Sequence, residues 1–486
     1  MTALPAADVE RDTLLARLQY EADPPADAAV ARIVGNWAEM PSDASAQQLR
    51  DAHQAQWDRL QQATALLQQL GDNGSLALWR AQAPELDPII VQAVQDFIHA
   101  EQALPSWADH AQLQRAETLF MEHGPLSCIL LFCASLPECY VLPDLAEVLH
   151  RAGQLEQRTE YRIRSTAAMI FPVMMHGGLA SDAGTGRAQI LKVRLIHATI
   201  RNLILHGSPE AIKQAMAAPD ATADAGIVPP HPALHGTRSM HAAMFGAGWD
   251  AKARGLPCNQ EELAYTLLTF SFVFLRSMRR LGLGCTDADE AAFLHAWNVA
   301  SSVLGVQSAL MAHDMRAAQQ LFARMQSRAR QHPVDPDPRP ALGRALMQAM
   351  EKSIPVTVLK PFSALMTLYL CGRPTAHMIG VTERTPMVSR VLFALLMALT
   401  RAIDAMARRV WPQFSIARLV TRVLGYHLIT HLLMDQTRSL ALPTHLLDRA
   451  NGMLDQWSED AHAPGWINAL EDRLTVRGSW RGDPRG

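Results

Sequence analysis

Lys192-Val-Arg-Leu-Ile-His-Ala-Thr-Ile-Arg201 is the most informative stretch of this chain, and Tyr161-Arg-Ile-Arg-Ser-Thr-Ala-Ala-Met-Ile170, about thirty residues earlier, comes next. In the first stretch Arg194, His197 and Arg201 follow one another at intervals of three and four residues. On an α-helix these intervals place all three side chains on one stripe. The sequence therefore predicts a helix that presents one imidazole between two guanidinium groups.

The predicted stripe is otherwise apolar, and two interpretations of His197 are open. Its apolar members are Ile190, Val193, Ile200 and Ile204. An imidazole in such surroundings, with a cation one turn to either side, suits a haem whose iron binds the ring and whose propionates bind the arginines. The alternative is a core histidine whose N–H donates to a backbone carbonyl. In the second stretch Arg162 and Thr166 are also one turn apart, so a second helix could offer donors to the opposite face of a haem.

These residues resemble the signature of the latex-clearing-protein and MpaB-type oxygenases, a largely helical family that binds b-type haem. In that family an Arg-x-x-x-Thr pair is followed, about thirty residues later, by an Arg-x-x-His segment whose histidine is the proximal iron ligand. Arg162 and Thr166 match the first motif, and Arg194 and His197 match the second. A weaker likeness lies at Asp23-Pro-Pro-Ala-Asp27. The other landmarks are Pro105-Ser-Trp-Ala-Asp109, Ser135-Leu-Pro137 with Tyr140, Gly255-Leu-Pro-Cys-Asn-Gln-Glu261, His295-Ala-Trp297 and Leu304-Gly-Val306.

The resemblance implies a haem b cofactor, with His197 as the metal ligand on the proximal side. It gives Arg194 and Arg201 two alternative roles, which are to neutralise the propionates or to hold a pair of helices together. It also implies that Ser165 and Met169 lie beside the cofactor.

The distal side of the implied haem carries the catalytic candidates Arg162 and Thr166, which would offer hydrogen-bond donors to dioxygen. Their alternative roles are an interhelix salt bridge and a hydroxyl bonded back to its own helix. Rubber-cleaving members have a lysine directly before the threonine, and it can close the distal iron site. Because this chain has Ser165 there, we expect a five-coordinate or water-bound haem. Glu147 lies near the position of the family's general base, but about one residue out of register, so a surface glutamate is the alternative.

The resemblance implies an enzyme, namely a haem b-dependent oxygenase that takes dioxygen and an apolar, unsaturated lipid or isoprenoid-like substrate. The expected outcome is oxidative cleavage of a carbon–carbon double bond, in a channel shaped by Met169, Phe171 and Val173. A second hypothesis is a globin-like haem protein that binds or senses a ligand without turnover. A third is a helical scaffold without a cofactor, in which His197 is a packed core residue.

Composition and charge exclude several other function classes. The formal net charge is −3 and no Lys/Arg-rich run is interleaved with aromatic residues, so nothing predicts nucleic-acid binding. The six cysteines form no Cys-x-x-Cys pair, which argues against a zinc site or a disulfide framework. No secretory signal is visible at the N-terminus, so we expect a cytoplasmic location and a substrate other than extracellular latex. The longest apolar runs are too short to span a bilayer, which needs about 20 residues, but they allow peripheral membrane contact.

Two further patterns are weaker candidates for metal sites. Glu147-Val-Leu-His150 has the spacing that di-iron carboxylate bundles use, but such a site needs a second copy and the sequence has none. His427 and His431 are four residues apart, as in many zinc sites, but no glutamate follows the first histidine as a metallopeptidase requires.

Apolar residues recur at intervals of three and four throughout the chain, which predicts an all-α fold. The resemblance adds a globin-like helical core with additional helices wrapped around it. We predict an N-terminal helical extension (1–105), a haem-binding oxygenase core (106–330) and a C-terminal helical subdomain (341–486), the last two separated by a proline-rich linker. Individual predicted helices include 125–135, ended by Leu136-Pro137, and also 237–253, 259–281, 413–435 and 442–459.

Overall fold

A computed structural model describes the protein over residues 6–37, 43–152, 159–230, 240–331, 334–352, 354, 360–381 and 385–407. Within these ranges the chain forms 21 α-helices and one short antiparallel ribbon of two strands. The all-α prediction is therefore confirmed. The predicted helices 413–435 and 442–459, together with His427 and His431, lie outside the described residues.

The helices have the following bounds. The first eleven are α1 (Ala6–Leu18), α2 (Pro24–Val34), α3 (Ala46–Gln68), α4 (Pro88–Glu101), α5 (His110–Glu122), α6 (Gly124–Leu130), α7 (Leu136–Cys139), α8 (Pro143–Ala152), α9 (Thr159–Met174), α10 (Gly186–Leu205) and α11 (Pro209–Ala217). The others are α12 (Met240–Phe245), α13 (Ala251–Arg254), α14 (Gln260–Phe270), α15 (Phe272–Leu281), α16 (Asp287–Val303), α17 (Met315–Ala329), α18 (Arg339–Lys352), α19 (Phe362–Cys371), α20 (Arg373–Met378) and α21 (Met387–Ala407). The strands β1 (Ile227–Val228) and β2 (Trp249–Asp250) pair with Ile227 opposite Asp250.

Helix starts follow the local sequence closely. Ser45 and Gln48 form a reciprocal capping box at the start of α3, and Thr286 and Asp289 do the same for α16. Each box satisfies backbone N–H groups that have no partner within the helix. Such starts were predictable because they need only residues three positions apart.

Three predicted helices differ from the structure. The helical path does not end at Leu136-Pro137 as predicted. A π-helical turn over Leu131–Ser135 leads into α7, and Pro137 lies in the first turn of α7, where a backbone N–H would have no partner within the helix. The predicted helix 259–281 is divided into α14 and α15 at Ser271, whose Oγ donates to the Leu267 carbonyl. The described part of the predicted helix 237–253, from residue 240 onward, consists of α12, strand β2 and the beginning of α13.

Helix α10 lies at the centre of the fold and packs against α2, α9, α12 and α16. The side chains that it buries include Ile190, Leu191, Leu195 and Ala198. Buried apolar residues from Leu15 to Phe393 form one continuous core around it. The proposed division into three parts stays a prediction.

In the described part of the chain no single helix is both long and apolar enough to cross a bilayer. The bent pair His110–Glu122 and Leu126–Cys139 meets that requirement by length and composition alone.

Candidate functional site

His197 lies in the fourth turn of α10, where part of the residue is accessible to solvent. Its Nδ1 atom is buried and has no hydrogen-bond partner among the described residues. Burial, and then the charge of Arg201, lowers the pKa of His197 to about 4. The ring is therefore neutral at pH 7, which is the form that binds a metal. A satisfied core histidine would donate to a backbone carbonyl, and Nδ1 does not do so here.

The face of α10 that carries His197 is apolar and only partly covered. Val193 and Ile200 are half-buried, and 44% of Ile196 is exposed. Val193 and Ile200 lie one turn from His197 on the same side of the helix, and Ile196, the residue before it, lies on the neighbouring side. A neutral imidazole with an unpartnered buried nitrogen, beside an apolar and partly exposed surface, is a donor that fits a haem.

Arg194 is buried and binds two carboxylates, one directly before α2 and one at the end of α4. Its Nε and Nη2 donate to the two oxygens of Asp23 at 2.5 and 2.8 Å, and Nη1 donates to Glu101 Oε2 at 2.7 Å. Nη1 also reaches the carbonyl of Val303, at the end of α16. The guanidinium is thus shared between the residue that precedes α2 and the last residue of α4.

Arg201 is fully buried and makes an equivalent contact with Asp27, which lies in α2 one helical turn after Asp23. Its Nε donates to Asp27 Oδ1 at 2.9 Å, and Nη1 donates to the Cys258 carbonyl at 2.7 Å. Nη2 lies 2.8 Å from the same Asp27 oxygen but is not aligned for a hydrogen bond. Burial raises the pKa of Asp27, and the adjacent Arg201 offsets only part of that rise.

These contacts favour the second of the two roles predicted for the arginines. Both guanidinium groups hold α10 against α2 by binding carboxylates, because a buried cation needs a counter-charge. Sequence analysis missed Asp23 and Asp27 as the partners. A signal existed in the Asp23-Pro-Pro-Ala-Asp27 segment, whose two acids are one helical turn apart.

Helix α9, which packs against α10, carries the candidates for the distal side. Ser165, Thr166 and Met169 occupy half-buried positions of this helix, and Phe171, five residues after Thr166, is buried. Arg162 belongs to α9, but its side chain lies outside the described residues. The structure thus brings the helix of Thr166 next to the helix of His197, as the sequence predicted.

An apolar cavity of about 10 Å³ lies against the C-terminal half of α9. The aromatic and aliphatic residues that line it are Phe120, Leu131, Ile170, Phe171, Phe270, Phe274 and Trp297. Of these, sequence analysis identified only Phe171. The Nε1 atom of Trp297 is buried there and has no hydrogen-bond partner in the described part. The polar members of the lining are Ser127 and Ser135, so the cavity provides a mostly apolar surface beside the distal helix.

Glu147 forms an ion pair with Arg151 of the same helix, at 2.5 Å between Oε1 and Nε. Arg151 also donates to the Gly248 carbonyl and lies 5.9 Å from the ring centre of Trp249. To accept a proton as a general base, Glu147 would have to leave this ion pair. With 15% of its side chain exposed, Glu147 is an ion-paired residue rather than a plain surface glutamate, and its role as a general base stays a prediction.

Other metal chemistry has little support. Among the residues with described positions, no group of three or more His, Cys, Asp or Glu side chains could hold a metal ion. The six cysteines are free thiols, and all except Cys285 are buried.

Comparison with known proteins places the chain near one group of oxygenases. Residues 231–402 match the family described as ER-bound oxygenase mpaB/B'/Rubber oxygenase, catalytic domain. The rubber oxygenase of Streptomyces sp. (strain K30) is 21% identical over 329 residues, which are 66% of this chain and 68% of that protein. A latex clearing protein in its closed state has a similar fold, with a TM-score of 0.58, 18% identity, and coverage of 85% of this chain and 90% of that one. The predicted resemblance is confirmed.

The family match begins after α10, so Arg162, Thr166 and His197 lie outside it. Their roles, and those of the residues around them, stay predictions that the geometry above supports to different degrees.

Proposed function

Since this chain resembles the mpaB and rubber oxygenases in sequence and a latex clearing protein in fold, we propose that it is a haem b-dependent oxygenase. Its substrate is an apolar, unsaturated lipid or isoprenoid-like chain, which it cleaves oxidatively at a carbon–carbon double bond. The observation that supports the cofactor is His197, a neutral imidazole on a partly covered apolar face, with a buried nitrogen that has no partner among the described residues.

In this proposal His197, which α10 carries on its partly covered apolar side, would hold the iron. When bound, haem supplies the activation of dioxygen, which protein side chains do not provide. Arg201 helps to keep the imidazole neutral and so free to bind the metal. The arginine remains buried because Asp27 balances its charge.

On the other side Thr166 offers a hydroxyl donor from a half-buried position of α9. A donor in a dry site is stronger than one in water, because the local dielectric constant is low. Met169, three residues after Thr166, adds a half-buried apolar side chain to the same helix face, and Phe171 lines the apolar cavity on another side of α9. Ser165 places a neutral hydroxyl rather than an amine at this position, and a neutral hydroxyl is a poor ligand for iron.

The cofactor proposal is tested by absorption spectroscopy and a pyridine haemochrome assay on protein expressed with adequate iron. We expect a b-type haem, and we expect His197→Ala to lose at least nine-tenths of it. The matched control is His110→Ala, which removes an exposed imidazole at the start of α5 and should retain full occupancy. Full occupancy and an unchanged spectrum in His197→Ala would exclude the ligand assignment.

The substrate proposal is tested by product analysis with isoprenoid oligomers and unsaturated lipids under dioxygen, with saturated analogues as controls. Carbonyl products should form only from the unsaturated compounds. A haem-loaded protein that yields none across this series would instead support the alternative, a globin-like protein that binds or senses a ligand.

A further inference from the structure

Helix α21, the last of the described helices, is apolar on two opposite sides. Its inner side packs on α19, where the buried ring of Phe393 lies 5.5 Å from the ring of Phe362 and 6.4 Å from that of Tyr369, measured between ring centres. The outer stripe of α21, as we call the opposite side, consists of Val388, Val391, Leu392, Leu395 and Leu399. Their spacing places these five residues on one side of the helix, and they are between 41% and 74% exposed.

The outer stripe concentrates exposed apolar surface in one place. Outside α21 the exposed large apolar residues of the described part of the chain are scattered singly, at Leu78, Ile89, Trp107, Ile196 and Ile227. Single exposed apolar residues are normal, whereas a continuous apolar patch usually marks a surface that binds something. A helix that is apolar on both sides is normally buried on both. We therefore expect another element to cover the outer stripe.

The charged residues of α21 argue against a membrane as the covering surface. They are Arg390, Arg401 and Asp404. Helices that lie on a membrane carry a polar face rich in lysine and arginine, and two arginines among 21 residues do not form one. Arg401 is in addition engaged within the protein, because it donates to the Tyr369 hydroxyl and to the backbone carbonyl of Arg280.

The chain itself contains a segment whose sequence matches the outer stripe in length and pattern. It lies in the predicted helix 442–459, outside the described residues, and its apolar positions are Leu446, Ala450, Met453, Leu454 and Trp457. In a helix these positions form one stripe, and the acidic residues Asp448, Asp455 and Glu459 fall on the opposite side. The stripe from 446 to 457 and the outer stripe from 388 to 399 have the same length, about 17 Å at 1.5 Å per residue.

The tether between the two stripes favours this segment over a second copy of the chain. Residues 408–441 separate it from α21, and a flexible chain of that length has an r.m.s. span of about 30 Å, close to the length of α21. A tethered segment meets its site at an effective concentration in about the millimolar range, which a second copy in dilute solution does not reach. The other predicted helix, 413–435, fits less well. Its apolar residues, such as Val423 and Leu432, would lie on opposite sides, so it needs more than one neighbour.

We propose that the segment 442–459 forms an amphipathic helix whose apolar stripe packs on the outer stripe of α21 in the same chain. The oxygenase family match ends at residue 402, within α21, so this contact attaches a segment from beyond the matched domain to the last helix of that domain. It uses neither His197 nor any other residue of the proposed haem site. Its test is therefore independent of the proposed function.

Photo-cross-linking of the full chain identifies what lies on the outer stripe. p-Benzoylphenylalanine is introduced in place of Leu395, which is 63% exposed, and the digest of the irradiated protein is analysed by mass spectrometry. We expect cross-links to peptides of the segment 442–459. The matched control is the same group in place of Leu78, an 83% exposed leucine before α4, which should give no cross-link to this segment. An equal mixture of isotope-labelled and unlabelled chains separates contacts within one chain from contacts between two.

Hydrogen exchange measures the strength of the contact. Leu395→Glu places a carboxylate in the middle of the outer stripe, and it should speed amide exchange in the segment 442–459 at least roughly tenfold, because the contact loses a buried leucine and gains an unpaired charge. Leu454→Glu, in the segment itself, should have the same effect. Leu78→Glu makes the same substitution at an exposed position outside α21 and should leave this exchange unchanged. Circular dichroism of each variant checks that the helical core is intact.

Exchange in the segment 442–459 that is equally fast in the wild type and in Leu395→Glu would overturn the proposal, whether or not a cross-link forms. Cross-links between labelled and unlabelled chains would identify a second copy as the occupant, and cross-links to 413–435 would identify the other predicted helix. Cross-links to lipid in vesicles of phosphatidylglycerol and phosphatidylcholine, with none to the segment 442–459 in solution, would identify a membrane surface. Each of these three results contradicts the assignment.

Discussion

Replacement of Arg194 by methionine tests whether the buried arginines hold helices or a cofactor. The Arg194 side chain is 4% exposed and its partner Asp23 is 2% exposed. The substitution removes both hydrogen bonds to Asp23 and the bond to Glu101, and it leaves the Asp23 carboxylate buried without its counter-charge. Breaking one partner of a buried pair costs about 3 to 5 kcal/mol, out of a typical total of about 5 to 15 kcal/mol.

The same molecule provides an exposed pair for comparison. Arg32 and Asp96 join α2 to α4 at 2.9 Å, with 47% and 45% of their side chains exposed. Because solvent screens such a pair, Arg32→Met should cost no more than about 1 kcal/mol. Urea unfolding of each variant, followed by circular dichroism on haem-free protein, gives the two free energies of unfolding.

The two predicted roles of Arg194 give different results in this experiment. If the arginine holds α10 to its neighbours, the loss of stability appears in haem-free protein. If it binds a propionate instead, haem-free Arg194→Met should be no less stable than haem-free Arg32→Met, and only haem affinity should fall. The latter result would refute the structural role argued above. Adding Asp23→Asn to Arg194→Met should recover part of the loss, because no unpaired carboxylate then remains.

Two other predictions concern single residues. Burial raises the pKa of Glu117 from 4.5 to about 7, so the free energy of unfolding should fall by about 3 kcal/mol between pH 4.5 and 7 from this group. Glu117→Gln should remove that part of the pH dependence, whereas Glu122→Gln, on the exposed side of α5, should leave it unchanged. Gly305 has φ of +85° and an added Cβ would lie 2.8 Å from Arg194 Nε, so Gly305→Ala should cost at least about 1 to 2 kcal/mol. Gly284→Ala, whose Cβ would meet nothing within 4 Å, should change the urea midpoint little.

Local patterns in the sequence determined most of what could be predicted about the fold. The start of α3 depends on two residues that are three positions apart. The stripe of α10 depends on residues that recur over four consecutive turns of one helix. The helices that differ from their predicted bounds depend on contacts that local sequence patterns do not specify. The chain continues through Pro137 because a π-helical turn before it aligns the proline with a new first turn, and no periodicity in the sequence marks that turn.

The candidate site shows the same limit. A helix with an imidazole between two arginines was predictable from spacing, and the structure places α9 beside it as expected. The partners of the arginines were not predictable from spacing alone, because Asp23 and Asp27 are 171 and 174 residues away from them. A buried arginine needs a carboxylate, but the sequence does not state which one. The apolar cavity at Trp297 is similarly assembled from six helices and a π-helical turn.

The two arginines also connect His197 to the part of the chain that resembles the oxygenase catalytic domain. That part begins at residue 231, and His197 precedes it. Arg201 binds the carbonyl of Cys258 and Arg194 binds the carbonyl of Val303, so both ends of the histidine turn are attached to the matched region. The same guanidinium groups bind α2 on their other side. The position of α10, and with it that of the residue His197, is thus held by two distant segments at once, so a change in either segment should shift the helix that carries the imidazole.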